Sequence, residues 1–261
     1  WGIAVPNDPD HVMYVWFDAL INYISTLGWP ESGSEFERFW PGTQVAGKDN
    51  LRQQSAMWQA MLLSAQLPPS QQILINGFIG VNGQKMSKSL GNVIAPKELV
   101  DRYGIDATRF LLINLGPFGE DMDVTWDRFN QEYTALLVNG YGNLCSRILR
   151  MAQKAELSLP LQMPQPTWFQ TYHATMQSAE LAQALNLTKD AVRNLDQYLS
   201  EHKPWTLAAD EQKQILEVAL SDLYWLTHAL KPIMPTSTQV VLSALDTINL
   251  GIAPLFPRLS Q

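Results

Sequence analysis

Apolar side chains are spaced in two different ways along the chain, and the change comes about a third of the way along. The first part contains short runs rich in strand-forming residues at Val12–Trp16, Thr43–Gly47 and Gln71–Ile79. Helical three- and four-residue spacing follows the first two runs, at 16–27 and Asn50–Ala65. Because strands that alternate with helices usually form a parallel sheet, this part predicts a doubly wound α/β layer.

The second part is almost wholly helical in pattern. A short helix is predicted at Lys97–Tyr103, where Gly104 ends it. Another helix is predicted at Asp106–Leu115, with the Asp106 side chain capping its first turn. These two helices connect the α/β part to the longer helices that follow.

Three longer helical stretches make up the rest of the chain. Apolar residues recur at three- and four-residue steps over Trp126–Met151, which predicts one long amphipathic helix. A proline-rich linker at 159–166 ends it, and helices are predicted at about Thr167–Leu199 and Asp210–Leu230, followed by a shorter one. The predicted fold class is therefore α/β followed by all-α.

Composition agrees with a folded protein and limits how it could bind nucleic acid. The 261 residues are 46% apolar, which is enough for a buried core. Eighteen Lys and Arg stand against 25 Asp and Glu, so the net charge is −7. This balance argues against a nucleic-acid binder that relies on bulk charge, and any RNA contact is expected to be local.

Cysteine content and hydropathy narrow the cellular setting. Cys145 is the only cysteine, which excludes an internal disulfide and leaves no sulfur cluster for zinc. The sequence has no apolar run of about eighteen residues or more, so no membrane association is expected. A soluble cytoplasmic protein is predicted. The chain opens on Trp1 rather than Met, from which we expect a fragment of a longer protein.

The most informative segment is the loop that follows the third predicted strand. Asn82-Gly83 is a tight-turn signal. After one further residue comes the segment Lys85-Met86-Ser87-Lys88-Ser89. Two ammonium groups with neighbouring hydroxyls can neutralise the charge that builds on a triphosphate as pyrophosphate leaves. Taken alone, a loop of this composition is more simply explained as a solvated surface turn.

The loop and several other blocks resemble one enzyme family. Lys85–Ser89 matches at every position the KMSKS signature of class I aminoacyl-tRNA synthetases. The wider sequence resembles the methionyl-tRNA synthetase family in blocks that keep the family's order: Tyr14–Ile24, Gly47–Asp49, Asp121–Trp126, Asn143–Arg147, Lys203–Trp205 and Pro254–Arg258. The resemblance spans nearly the whole chain.

The resemblance implies a carboxyl-terminal portion of such an enzyme, in three parts. Residues 1–80 would be the second half of a doubly wound, Rossmann-like nucleotide-binding domain. Residues 81–125 would carry the KMSKS loop and connecting helices, and 126–261 an α-helical anticodon-binding domain.

An ATP site is implied by the same resemblance. Lys88 would stabilise the transition state of adenylate formation, with Lys85 as a second catalytic lysine. The implied ATP-binding residues are Lys85, Met86, Ser87, Lys88, Ser89, Asp49 near the ribose and Ile79 beside adenine. Magnesium would accompany ATP as part of the substrate, and neither a metal site nor a zinc site is expected within this chain.

Four residues fall at positions of the family's methionine pocket, Trp16, Tyr23, Gln54 and Trp58, and all but Gln54 match it. The seven-residue spacing of Trp16 and Tyr23 puts both on one helix face, where two aromatic rings can close on a thioether. Without the family context, both would be taken for ordinary core aromatics. Gln54 and Asn76 stand where the family usually has histidines.

The helical part holds the residues that would read an anticodon. Asn143 and Arg147 are four residues apart and match the family's Asn-x-x-x-Arg, whose side chains can bond to unstacked base edges. Trp205 lies in the Lys-Pro-Trp block, and its indole could stack on a base. The alternatives are a solvated helix face and a tryptophan packed between helices.

The implied function is that of a methionine–tRNA ligase, with methionine, ATP and tRNA(Met) carrying the CAU anticodon as partners. No HIGH-type signature occurs, since His11, His173, His202 and His228 stand alone, so the chain by itself is expected to lack catalysis. A related synthetase for leucine, isoleucine or valine is one alternative. A non-catalytic RNA-binding module or degenerate paralogue is the other.

Overall fold

A computed structural model describes residues 2–87, 90–157, 159, 163–247 and 254–259. The chain forms two compact units. Unit 1 comprises Trp1–Phe78 together with Phe118–Asp121, and unit 2 comprises Ile79–Pro117 together with Met122–Gln261. None of the helices in the described part is long and apolar enough to cross a membrane.

Unit 1 begins with a two-stranded antiparallel hairpin, β1 (Ala4–Val5) and β2 (Asp8–Val12). Asn7 makes the turn at a φ of 65°, a conformation that asparagine tolerates better than most residues. The strand predicted at Val12–Trp16 is therefore wrong, because β2 ends at Val12 and a helix begins at Val15. From Val15 onward the chain is helical instead, because helical spacing directs the apolar side chains of residues 16–24 toward the core of unit 1.

The remaining elements of unit 1 are short. They are α1 (Val15–Ala19), α2 (Asn22–Ser25), α3 (Phe36–Phe39), β3 (Thr43–Gly47), α4 (Trp58–Ser64) and β4 (Gln72–Asn76). The helix predicted at Asn50–Ala65 is not uniform. It starts as a 3-10 turn at Lys48–Asn50 and passes through a π-helical segment at Gln53–Met57 before α4. In that segment the Gln59 side chain donates a hydrogen bond to the Gln54 carbonyl at 2.8 Å.

Strands β3 and β4 pair in parallel, from Thr43 opposite Gln72 to Gly47 opposite Asn76. The strand predicted at Gln71–Ile79 is interrupted, since β4 ends at Asn76. Gly77 explains the interruption, because a Cβ at this position would lie 1.9 Å from the Glu120 carbonyl oxygen. The backbone of Glu120 approaches so closely that only glycine fits directly after β4.

Unit 2 contains a small mixed sheet of β5 (Ile79–Val81), β6 (Gln84–Lys85) and β7 (Met122–Val124), in the order β6-β5-β7. β5 is antiparallel to β6 and parallel to β7. The predicted turn at Asn82-Gly83 is confirmed, with φ of 53° and 72° at the two residues. Parallel pairing thus occurs in both units, between β3 and β4 in unit 1 and between β5 and β7 in unit 2.

The rest of unit 2 is helical. Its helices are α5 (Pro96–Tyr103), α6 (Ile105–Ile113), α7 (Trp126–Glu132), α8 (Asn143–Lys154), α9 (Thr167–Gln177), α10 (Leu181–His202), α11 (Ala209–Leu230) and α12 (Pro235–Thr247). Their apolar faces form one extended core with fully buried residues such as Leu111, Leu137, Ile148, Leu220 and Leu245. The predicted helices at Lys97–Tyr103 and Asp210–Leu230 are confirmed within one residue at each end.

Three helical predictions differ from the structure. The run Trp126–Met151 is helical but contains a π-helical segment, Tyr133–Gly142, where Gly140 leaves helical geometry at a ψ of −109°. The helix predicted at Thr167–Leu199 is two helices, α9 and α10, because Ala179 turns the chain at a φ of 60°. Asp106 does not cap α6, and Gly104 takes that position.

Asp106 caps a different helix. Its side chain is buried and accepts a hydrogen bond from the Ser237 backbone N–H in the first turn of α12. One turn along α6, Arg109 donates to the carbonyl oxygens of Ile233 at 2.8 Å and Pro232 at 2.9 Å. Helix α6 therefore contacts both sides of this connection. Arg109 bonds the turn that follows α11, and Asp106 bonds the first turn of α12.

Candidate functional site

The four residues predicted to shape a methionine pocket all contribute to one aromatic cluster in unit 1. Gln54 is only 2% exposed, and its amide donates a hydrogen bond to the Tyr23 hydroxyl at 2.9 Å. The rings of Tyr23 and Trp58 lie 6.0 Å apart, and Trp16 packs against the same cluster. Gln54 is the second residue of the π-helical segment and lies about one turn before Trp58.

Two polar atoms in this cluster are buried without a hydrogen-bond partner among the described residues. They are Oε1 of Gln54, an acceptor, and Nε1 of Trp58, a donor. Buried polar groups are nearly always paired in native proteins, so an unpaired acceptor and an unpaired donor four residues apart in one aromatic cluster are unusual. The cluster can therefore offer hydrogen bonds to the polar atoms of a small ligand.

One neighbouring aromatic was missed in the sequence. The Trp40 ring lies edge-on to Trp58 with the ring centres 6.1 Å apart, and its indole N–H donates to the Pro68 carbonyl at 2.9 Å. Trp29 and Phe36 also pack against the cluster. The four large aromatic residues within the twelve positions 29–40, an otherwise polar stretch, are a signal that could have indicated this wall.

The Gly47-Lys48-Asp49 segment follows the end of β3, where parallel sheets often bind ligands. Lys48 Nζ lies 3.0 Å from an oxygen of Asp121, which also accepts from the Phe78 backbone N–H at 2.9 Å. The Phe78 N–H and then Lys48 hold the pKa of Asp121 below its ordinary value. Asp121 was not among the predicted site residues, although it lies in a block that resembles the family.

The predicted ATP-binding residues are distributed over both units. Asp49 belongs to unit 1, at the 3-10 turn that follows β3, whereas Ile79 lies in β5 of unit 2. Asn76, the last residue of β4, donates a hydrogen bond to the Gly77 carbonyl at 3.0 Å.

The KMSKS loop begins at Lys85, the last residue of β6. Asn92 closes the loop, since its side-chain oxygen accepts from the Ser87 N–H at 2.9 Å and its amide donates to the Lys85 carbonyl at 3.3 Å. Met86 packs against the core of unit 2. Lys88 and Ser89 lie outside the described residues.

The predicted anticodon residues lie on exposed parts of unit 2. Asn143 begins α8 on its exposed face, and Arg147 follows one turn later with an ion pair to Asp196 of α10. Trp205 lies in a 3-10 turn after Lys203, whose φ is 43°, and is 51% exposed. An exposed indole on a fixed turn can stack on an unpaired base. Asp196 was missed because nothing local in the sequence pairs it with Arg147.

Metal ligands do not cluster in the part of the chain that the structure describes. No group of three or more His, Cys, Asp or Glu side chains is placed to hold an ion there.

Comparisons with known proteins identify the family that this sequence resembles. The family model described as tRNA synthetases class I (M) matches residues 1–149. The methionine–tRNA ligase of Thermotoga maritima is 36% identical over 258 residues, covering 92% of this chain and 41% of that protein. The methionine–tRNA ligase of Brucella suis biovar 1 is 37% identical, covering 94% of this chain and 51% of that protein. The chain spans about half the length of the curated relatives it matches.

Solved structures give the same result for the fold. A methionyl-tRNA synthetase of Mycobacterium tuberculosis, in complex with methionyl-adenylate, is 28% identical with a TM-score of 0.78. The similarity covers 99% of this chain and 56% of that one. Since the family model also covers more than half of the 261 residues, the chain belongs to the methionyl-tRNA synthetase family of class I tRNA synthetases.

Proposed function

We propose that this chain supplies the KMSKS-bearing half of the nucleotide-binding domain and the anticodon-binding helices of a cytoplasmic methionine–tRNA ligase. In that reaction the carboxylate of methionine attacks the α-phosphate of ATP, and pyrophosphate leaves. The methionyl group then passes to the terminal ribose of tRNA(Met). The observation that carries the proposal is the complete KMSKS sequence, which begins at the last residue of the β5–β6 hairpin.

Lys85 and Lys88 take the role of charge stabilisers in this proposal. Their ammonium groups would neutralise negative charge on the departing phosphates of Mg²⁺-bound ATP. The contacts of Asn92 support this role for Lys85, because they hold the backbone at Lys85 and Ser87. Asp49 and Ile79 would contact the ribose and the adenine.

The buried contact between Gln54 and Tyr23 supports methionine as the amino acid. Because the Tyr23 hydroxyl already accepts a hydrogen bond from Gln54, its own proton remains available to a further acceptor. A thioether sulfur is a weak acceptor that fits among aromatic rings. Trp16 and Trp58 would supply those rings. A pocket of this kind favours methionine over the branched apolar amino acids of the related synthetases.

The rest of the catalytic site is proposed to come from a further segment that carries a HIGH-type signature. None of the four histidines of this sequence stands in such a motif. We therefore expect these 261 residues to bind RNA but not to form methionyl adenylate without that segment. The order of the blocks, with KMSKS before the helices, supports a position in the carboxyl-terminal portion of the complete enzyme.

Binding of tRNA(Met) transcripts tests the proposal, with the CAU anticodon and with one altered anticodon base, at one fixed salt concentration. The chain should prefer CAU by roughly tenfold or more, since a lost base contact typically costs 1–3 kcal/mol. Trp205→Ala should reduce that preference without unfolding the unit, because the indole is exposed.

Tryptophan fluorescence and circular dichroism of the Trp205→Ala variant control for misfolding. Equal binding of both transcripts by the unmodified chain would contradict the anticodon-reading role. It would favour a degenerate paralogue that kept the fold and lost the recognition.

A further inference from the structure

A cleft of 620 Å³ lies in unit 2 between the π-helical segment 133–142 and α10. Its walls include the polar residues Asn139, Asn186, Lys189 and Arg193. The backbone of Gly140 departs from helical geometry at this wall, and π-helical interruptions are frequent at functional sites. The cleft therefore has the composition and the backbone irregularity expected of a binding surface.

The cleft is continuous with the surface proposed to read the anticodon. Asn139 lies one turn before Asn143 on the same helical run, and both side chains are exposed. Asp196 lines the cleft and forms the ion pair with Arg147. A strand of RNA whose bases reach Asn143 and Arg147 would thus have its backbone close to this cleft.

Lys189 differs from the arginine of the cleft in that its side chain bonds a neutral group. Its Nζ donates a hydrogen bond to the side-chain oxygen of Asn114 at 2.7 Å, a neutral partner, and within the described ranges it forms no ion pair with a carboxylate. Partial burial lowers the pKa of Lys189, and the nearby carboxylates of Glu132 and Asp190 only partly oppose that effect. A desolvated cation with a neutral partner gains from a charge-assisted bond to an anion.

The carboxylates around Lys189 already have other partners. Glu132 accepts from Arg128 at 2.8 Å and from the Asn114 amide at 2.9 Å. Asp190 is paired with Arg193, and Asp196, also in the cleft, with Arg147. An incoming anion therefore meets one cation that is not neutralised by a direct ion pair.

A path of hydrogen bonds leads from Lys189 to the hairpin that precedes the KMSKS loop. Asn114 joins Glu132, and Glu132 joins Arg128. Arg128 donates to the backbone carbonyl of Asp123 at 2.9 Å, and the side chain of Asp123 accepts from the Gly83 N–H at 2.7 Å. Gly83 lies in the turn between β5 and β6.

We propose that Lys189 binds a phosphate group of the RNA strand read by Asn143 and Arg147, and that this draws its ammonium group away from Asn114. The inference rests on the proposed RNA binding of unit 2. Loss of the Asn114 contact loosens the path that holds the Gly83 turn, so that RNA binding in the cleft increases the mobility of the hairpin before Lys85. With a net charge of −7, the protein must obtain its phosphate affinity from such local cations.

Salt-dependent binding of the CAU transcript by the full chain tests the phosphate contact. Lys189→Gln removes the charge but keeps an amide donor, and Lys213→Gln is the matched control, since Lys213 is exposed on α11 and paired with Glu217. Lys189→Gln should weaken binding equally for every anticodon and lower the slope of log K against log salt by about one. Lys213→Gln should leave both quantities unchanged.

The outcomes separate the two proposals. If the unmodified chain binds no transcript, the proposed function and the phosphate contact both fail. If the unmodified chain binds and the Lys189→Gln slope equals the Lys213→Gln slope, only the phosphate contact fails. If Lys189→Gln changes the preference for CAU instead of the slope, Lys189 contacts a base and the phosphate assignment is overturned.

Amide hydrogen exchange of the peptide that contains Gly83 tests the path. Exchange at this turn should become several-fold faster when the CAU transcript binds, and equally fast in Asn114→Ala without RNA. An unchanged or slower exchange at the turn on RNA binding would overturn the link between the cleft and the hairpin. Far-ultraviolet circular dichroism of Asn114→Ala checks that the helices remain intact.

Discussion

Two Gln–Tyr pairs in unit 1 differ mainly in burial, and this difference makes them a natural comparison. Gln54 donates to the Tyr23 hydroxyl inside the aromatic cluster, whereas Gln53 donates to the Tyr14 hydroxyl at 3.1 Å on the surface. Removing the Tyr23 hydroxyl leaves a buried amide without its acceptor, which typically costs about 1–3 kcal/mol. Water replaces the Tyr14 hydroxyl at little cost.

Tyr23→Phe should therefore lower the free energy of unfolding of unit 1 by about 1–3 kcal/mol, and Tyr14→Phe by less than about 0.5 kcal/mol. Urea unfolding followed by tryptophan fluorescence measures both. The double variant Tyr23→Phe with Gln54→Leu should recover part of the loss, because both polar partners are then gone. Equal effects of Tyr23→Phe and Tyr14→Phe would show that the buried bond has no special weight.

Asp121 gives unit 1 a pH dependence whose sign follows from its contacts. The Phe78 N–H and Lys48 lower the pKa of Asp121 in the folded state. Its contribution to stability is therefore present above the unfolded pKa and is lost as the pH falls through the folded pKa. Asp121→Asn should flatten the fall in unfolding midpoint that occurs as the pH drops below about 5.

Lys48→Gln is the companion variant, and it should flatten that fall less than Asp121→Asn. The backbone N–H of Phe78 still bonds the carboxylate in Lys48→Gln, and it is the larger cause of the lowered pKa. If the unfolding midpoint of Asp121→Asn changes with pH as it does in the unmodified chain, Asp121 is not the cause of the pH dependence.

At the scale of elements, the connection between α9 and α10 depends on one strained residue. Ala179 adopts a φ of 60°, which glycine reaches without steric cost and alanine does not. Ala179→Gly should therefore raise the free energy of unfolding of unit 2 by up to about 1 kcal/mol. Ala174→Gly, on the exposed side of α9, should lower it by a similar amount, since glycine destabilises helix interiors. Calorimetry that finds both variants destabilised would contradict the strain.

The hold of α6 on the α11–α12 turn is a second property of elements. Arg109 donates to the carbonyl groups of Pro232 and Ile233, which lie in the turn that follows α11. Arg109→Met keeps much of the apolar stem and removes both bonds, so it should cost about 1–3 kcal/mol in guanidinium unfolding. Arg150→Met, at an exposed position of α8, is the control and should change stability little. Similar losses in both variants would argue against a specific hold.

At the scale of the whole molecule, local signals predicted what local interactions decide. The Asn82-Gly83 turn, the helix at Pro96–Tyr103 and the long helix at Ala209–Leu230 follow from turn chemistry and apolar spacing. The strand at β2 could not be predicted in this way, because its pairing with β1 rather than its composition makes it a strand.

Contacts between distant residues were beyond the reach of the sequence pattern. Lys48 and Asp121 are separated by 73 positions, and Asp106 contacts Ser237 across 131. Apolar spacing carries no information about such pairs, since each member is a polar residue whose partner lies in a distant segment. The candidate residues themselves came from motif resemblance, and the methionine-pocket candidates meet through contacts between two distant segments, 16–23 and 54–58.

The path of the chain between the two units has a practical consequence for dissecting the protein. The chain passes between them after Phe78, after Pro117 and after Asp121. A single cut or a single truncation point therefore does not separate the two units cleanly. Phe118–Asp121 would stay attached to unit 2, and Asp121 would lose its partners in unit 1. An isolated helical unit has to start at Ile79 and replace those four residues with a short turn that joins Pro117 to β7.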